Sequence, residues 1–172
     1  MQQTWPQAYQ WVRASEGGND DDPKDPGGRT SRGIIQREYT AWRDLHGETS
    51  KDVWTASEAE IEAIYQTQYW SPYGDLMPRG ADYQFFDINV NSGLHEATLI
   101  LQRSLEVNPD GHVGVVTLAA LRKADPKALI LQVTQERAKF YRSLTKLFQR
   151  FGKGWISRDL QVEKNALQLL GV

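Results

Sequence analysis

The chain has 172 residues, 40% of them hydrophobic and 24% charged, which is enough for one domain with a substantial core. A formal net charge of -2 argues against a wholesale nucleic-acid binder, and the absence of cysteine excludes thiol catalysis and any reliance on disulfides. The charge is uneven: residues 1–62 hold 7 Lys/Arg against 12 Asp/Glu, whereas residues 122–158 hold 10 against 2. That basic segment is either a solvated helix face or a surface for an anionic envelope polymer or lipid headgroup layer.

Helical signals dominate in chain order. Thr4 is placed to cap a first helix, with Pro6 tolerated in its first turn and Trp5, Ala8, Tyr9 and Val12 at helical spacing. Glu16 falls at the end of this helix. A loop rich in glycine and acid follows, and "RTSRGII" reads as a short extended turn or hairpin. A helix over 36–46 carries Tyr39, Trp42 and Leu45, and Gly47 stops it. Ser57 and Glu60 form a capping box for a helix presenting Ile61, Ile64, Tyr65 and Tyr69. "ADYQFFDINVNSG" reads as a buried helix ended by Gly93, and "LHEATLILQRSLEV" as another. "VVTLAALRKA" is a short helix. Asp125-Pro126 opens a long one to about Phe148, and a last helix covers roughly 155–170. The expected fold is all-α and two-lobed, with at most a short β-hairpin near residues 25–36. The expected lobes are residues 1–95 and 96–172, packed as one unit.

The N-terminus shows no basic stretch followed by an apolar run, so no secretory signal is expected. No stretch approaches the roughly 18 apolar residues a membrane span needs. His46, His95 and His112 lack paired ligand spacing, and "NDDDPKD" fails the calcium-loop template, so neither a metal nor a cofactor is expected.

The segment "SEGGNDDDPKDPGGRTSRGI" carries the chemistry. Glu16, Asp25 and Thr30 place an acid, a second carboxylate and a hydroxyl in one loop. Glycoside hydrolysis uses this set: one carboxylic acid protonates the leaving oxygen, the other carboxylate activates a water, and a hydroxyl helps hold it. The plainer alternatives are a turn-forming Asp25 and an exposed helix-end Glu16.

The same stretch resembles the signature E-G-G, spacer, D-P-G-G-x-T-x-x-G-I of glycoside hydrolase family 108, a family of peptidoglycan-cleaving N-acetylmuramidases. "YWSPYGDLMPRGADYQFFDINVNSG" is similar to the family's middle block. "LQRSLEVNPDGHVGVVTLAAL" and "RAKFYRSLTKLFQRFGKGWISRD" are similar to its C-terminal peptidoglycan-domain block. The resemblance covers about residues 9–160 in consistent order.

The resemblance implies a lysozyme-like fold and hydrolysis of the β-1,4 bond between N-acetylmuramic acid and N-acetylglucosamine. It makes Glu16 the general acid, with Asp25 and Thr30 its partners, although the Asp-to-Thr interval is one residue shorter than in tailed-phage lysozymes. Glu16 must then keep its proton near neutral pH while Asp25 stays ionised, and inversion is the favoured outcome. Substrate contacts are expected from Tyr39, Tyr69, Trp70, Asp87 and Asn91, with the C-terminal lobe as the second wall of the cleft. The expected partner is the peptidoglycan glycan strand, with anionic envelope lipid a further one through residues 122–158. The chain is expected to be a monomer stored in the cytoplasm, released through a holin, and acting on the cell wall. A non-catalytic peptidoglycan-binding or lysis-regulating protein and a lytic transglycosylase are the alternatives. The second carboxylate favours hydrolysis over the latter.

Overall fold

The computed structural model describes residues 4–21, 28–71 and 73–172. The chain forms two compact units, Trp5–Pro72 and Met1–Thr4 with Tyr73–Val172. Asp25 lies outside the described residues. No helix of the described residues is long and apolar enough to cross a membrane.

The N-terminal unit starts with α1 (Trp5–Ser15), whose buried positions are Trp5, Ala8, Tyr9 and Val12, the stripe that its spacing predicts. Three two-residue strands follow: β1 (Asn19–Asp20), β2 (Thr30–Ser31) and β3 (Ile34–Ile35). They form an antiparallel sheet in the order β1-β2-β3, with Asp20 opposite Thr30 and Thr30 opposite Ile35. The β2–β3 pair is the expected hairpin. Strand β1 goes beyond the expectation, because two exposed polar residues give no alternating apolar signal. Arg32 (φ 52) and Gly33 (φ 83) form the two-residue hairpin loop, and paired positive φ values match the right-handed twist of the strands.

Next come α2 (Gln36–Leu45), a 3-10 turn at Val53–Thr55, and α3 (Glu58–Ile64). The predicted capping box is present: Ser57 Oγ accepts from the Glu60 amide, and the Ser57 amide donates to Glu60 Oε2 at 2.8 Å. Glu60 also receives the Tyr39 hydroxyl at 2.9 Å and pairs with the buried Arg43. Burial works against its charge, but the Ser57 and Tyr39 donors outweigh it and hold the carboxyl at about 2. Beyond Ile64 the helix widens into a π-turn, Tyr65–Trp70, in which the Ser71 amide reaches back to the Gln66 carbonyl at 2.8 Å.

The C-terminal unit packs α4 (Ala81–Ser104), α6 (Pro126–Ser143) and α7 (Thr145–Leu170) against one another, with α5 (Val115–Leu121) between α4 and α6 in sequence. Residues 81–89 are buried throughout. Gly93 (φ 82, ψ 158) breaks α4 where the sequence reading ended one helix and began another, whereas the two compact units divide at residues 72/73 and not at the expected 95/96. Gly80 (φ 89) precedes α4, and a Cβ there would stand 2.5 Å from the Ala166 carbonyl oxygen, so glycine sets how closely α7 approaches. Asp125 caps α6 through the Ala128 amide at 2.8 Å, with Pro126 in the first turn as predicted. The end of α6 differs from expectation. Leu144 (φ -80, ψ 52) closes it five residues after Lys139, and α7 begins at once. No glycine or proline marks that break, and the apolar spacing runs through it.

Candidate active site

Glu16 directly follows α1 and is tied to its last turn by its own amide, which donates to the Val12 carbonyl at 3.0 Å. Its side chain is half-buried and lies on the hairpin loop. A Cβ built on Gly33 would be 3.1 Å from Glu16 Oε2, 3.4 Å from its Cγ and 2.3 Å from the Tyr65 hydroxyl oxygen. Only a residue without a side chain allows this closeness. The Tyr65 hydroxyl donates to the Arg32 carbonyl at 2.9 Å, which ties the π-turn to the same loop. Glu16, the Arg32–Gly33 loop and Tyr65 are therefore fixed by three separate elements.

Tyr69 extends this group. Its ring lies 5.4 Å from that of Tyr65, and its hydroxyl donates to Glu38 Oε2 at 3.1 Å. Burial, then the charge of Glu16, pushes the Tyr65 hydroxyl above its ordinary value. Burial, then Glu38 and Glu16, does the same to Tyr69. Both phenols therefore stay protonated across the working pH range.

The other expected residues sit as follows. Thr30 is on β2, half-buried, three residues before Gly33, with its hydroxyl on the Gly28 carbonyl at 3.2 Å and its own carbonyl accepting from Trp54 Nε1 at 3.1 Å. Tyr39 is wholly buried against Glu60, and Trp70 is 2% exposed with its ring edge-on to Trp5 at 5.4 Å, so both serve packing. Tyr69 is the expected aromatic of the N-terminal unit that keeps partial exposure.

Asp87 and Asn91 lie in the C-terminal unit, within one polar network. Asp87 is 1% exposed and paired with Arg137 at 2.7 Å and Arg158 at 2.8 Å. Arg137 Nε donates to the Tyr141 hydroxyl at 2.8 Å, which in turn donates to Asn91 Oδ1 at 3.1 Å. Asp87 is therefore a counterion of the core, while Asn91 stands exposed at its edge. Asp159 also contacts Arg137, at 3.5 Å, so the buried guanidinium faces two carboxylates.

Sequence reasoning did not single out Glu38, Arg137 or Asp159, and it treated Tyr65 as core. An i, i+4 tyrosine pair on an apolar stripe reads as packing, and the buried ion network joins residues from three helices. Among the described residues no cluster suited to a metal ion occurs.

Comparison with known proteins identifies the family. Residues 9–93 match the Glycosyl hydrolase 108 family, and residues 96–160 match the Predicted Peptidoglycan domain. No curated protein matches. A solved structure, "Structure of Brucella abortus SagA", is 34% identical, covers 98% of this chain and 97% of its own, and superposes with a TM-score of 0.83. The helical lysozyme-like fold, the residue 9–93 match and a relative spanning the whole length place this chain in the glycosyl hydrolase 108 family, as a glycoside hydrolase acting on peptidoglycan.

Proposed function

We propose that the chain is an endolysin-type N-acetylmuramidase hydrolysing the β-1,4 bond between N-acetylmuramic acid and N-acetylglucosamine. Glu16 gives its proton to the leaving glycosidic oxygen. Asp25 takes a proton from a water that attacks the anomeric carbon from the opposite face, and Thr30 steadies that water. An inverting reaction of this kind needs the two carboxyl groups about 6.5–9.5 Å apart. The observation that carries the reading is the seat of Glu16, a helix-end acid whose Oε2 and the buried Tyr65 hydroxyl both crowd Gly33 of the hairpin loop. Such fixed placement is what a proton donor requires.

The test is muropeptide release from purified peptidoglycan, wild type beside Glu16→Gln, with reducing-end analysis by mass spectrometry. Release of fragments ending in reducing N-acetylmuramic acid, reduced at least about a hundredfold in Glu16→Gln, is expected. Anhydro products would make the enzyme a lytic transglycosylase. Binding without release would make it a peptidoglycan-binding protein.

We further propose contact with anionic envelope lipid after holin-dependent release. On α7, Leu147 (51% exposed) and Phe151 (43% exposed) stand beside Lys146, Arg150 and Lys153, and no acidic residue occurs from Thr145 to Arg158. An apolar strip edged by cations suits a headgroup layer. Each cation near an anionic surface is worth about 1 kcal/mol, so Lys146→Gln/Arg150→Gln/Lys153→Gln should weaken binding to phosphatidylglycerol vesicles roughly a hundredfold at low salt. Unchanged vesicle sedimentation would remove the lipid from this reading.

A further inference from the structure

We propose that a groove in the C-terminal unit is a stem-peptide subsite, in which Glu106 holds the ammonium and Lys123 the carboxylate of an uncrosslinked diaminopimelate residue; this rests on the reading of the chain as an enzyme acting on peptidoglycan. The groove lies where the end of α4, the end of α5 and the start of α6 meet, and its volume is about 370 Å³. Its lining residues run from Ser104 to Gln132. All of them fall inside residues 96–160, the stretch that matches the Predicted Peptidoglycan domain. None belongs to the N-terminal unit that carries Glu16.

The lining favours peptide over glycan. Its floor is the buried Leu129 with Ala120, Ala124 and Ala128, and no aromatic ring lines it against which a sugar face could stack. Methyl-sized side chains leave room for other small residues, and a stem peptide begins and ends in alanine. The rim carries both signs of charge, Glu106 and Asp125 with Lys123, all exposed. Asp125 is used by the fold, since its Oδ1 accepts the Ala128 amide at 2.8 Å. Among the described residues, neither the Glu106 carboxylate nor the Lys123 ammonium has an ion-pair partner. The free end of diaminopimelate carries an ammonium and a carboxylate on one carbon, and a rim offering one group of each sign is its complement.

Glu106 supplies an independent observation. It sits at φ 55, in the left-handed region. There it closes α4: the Glu106 amide donates to the Arg103 carbonyl at 3.1 Å, and the Val107 amide to the Gln102 carbonyl at 3.0 Å. This helix-ending position favours glycine, and a residue with a Cβ gives up stability there. A glutamate at such a place, on the rim of a groove, points to a use for the carboxylate other than stability.

The experiment titrates the full chain, followed by amide chemical shifts, with three probes: the synthetic peptide Ala–γ-D-Glu–diaminopimelate–D-Ala, the same peptide with lysine in place of diaminopimelate, and chitotetraose. The diaminopimelate peptide is expected to move the amides of residues 104–107 and 120–132, whereas chitotetraose leaves them in place. Lys123→Gln should weaken the diaminopimelate peptide roughly two- to fivefold, the range of an exposed ion pair, and leave the lysine peptide within about 1.5-fold. Glu106→Gln should weaken both peptides. Glu106→Gly removes the charge and the strain together, so it should bind as poorly as Glu106→Gln while melting no lower than wild type. Peptide binding unchanged in all three variants, or chitotetraose moving these amides in place of the peptide, would overturn the proposal. Binding is read without turnover. Peptide bound at these amides by a wild type that releases no muropeptide would uphold the subsite and remove the hydrolase reading.

Discussion

Arg137→Met is expected to destabilise the C-terminal unit by about 3–5 kcal/mol near neutral pH, among the largest losses any single change here should cause. Arg137 is 1% exposed and faces Asp87 and Asp159, themselves 1% and 2% exposed. Burying the guanidinium costs solvation, and the two carboxylates offset that cost. Burial lowers its pKa, but Asp87, Tyr141 and Asp159 more than compensate, so it stays charged. Methionine fills the volume without charge. Asp87 then keeps Arg158, but Asp159 loses the Arg137 guanidinium it contacts. Urea unfolding followed by tryptophan fluorescence would give the figure, and a loss below about 1 kcal/mol would show that the cluster is not worth what its burial implies.

The same cluster gives a pH dependence of defined sign. Burial, only partly opposed by Arg137 and reinforced by Asp87 and Glu163, lifts the Asp159 carboxyl from its ordinary 3.8 to about 7. Between those values the folded state binds the proton that the unfolded state has released. Stability from this group is therefore complete below about pH 4 and is lost as pH rises towards 7. At about 1.4 kcal/mol per pH unit the change is at most on the order of 4 kcal/mol. Asp82, raised by burial, acts in the same direction. Glu60, in the other unit and held at about 2, acts oppositely and at lower pH. Asp159→Asn mimics the protonated form and should flatten most of the decline, leaving the variant at least as stable as wild type at about pH 8. A decline in Asp159→Asn as steep as in wild type would assign it to other groups.

Most of the helical frame was legible in the sequence because it rests on local rules. The α1 stripe, the Ser57–Glu60 capping box, the Asp125-Pro126 start and the Gly93 break each follow from residues within a few positions of one another. The break at Leu144 was not legible, since an ordinary apolar residue adopts it under tertiary packing. The site divides in the same way. Glu16 and Thr30 stand out because acid, glycine and hydroxyl crowd a short loop. Glu38 and Tyr65 come to that loop from 22 and 49 residues further along the chain, and both fit amphipathic patterns that a core or a solvated face explains equally well. The aromatic candidates Tyr39 and Trp70 turned out to be packing for a related reason. Large aromatic side chains carry the apolar surface that closes a small unit, and the sequence does not say which ring keeps one face open.

Gly33→Ala is expected to reduce both stability and activity, and the two effects have separate causes. The first is backbone strain. At φ 83 an L-residue is disfavoured by roughly 1–2 kcal/mol. The second is collision. The new methyl carbon would stand 2.3 Å from the Tyr65 hydroxyl oxygen and 3.1 Å from Glu16 Oε2. Tyr65 has little room to retreat: it is fully buried, its ring meets Tyr9 at 5.8 Å and Tyr69 at 5.4 Å, and its hydroxyl is bonded to the Arg32 carbonyl. Glu16 is half-exposed, so its side chain is the softer neighbour and moves with the loop. Displacing a proton donor by about 1 Å costs on the order of a hundredfold in rate. Gly33→Ala should therefore lose about 2–3 kcal/mol of stability and at least tenfold in kcat, even below its melting point, where circular dichroism shows the helices intact. Gly17→Ala is the control, because a Cβ there meets nothing within 4 Å and its φ lies outside the left-handed region. It changes the same loop beside the same acid and should leave kcat within about twofold. Equal losses in the two variants would mean that general loosening of the loop, and not the contact at Gly33, sets the place of Glu16.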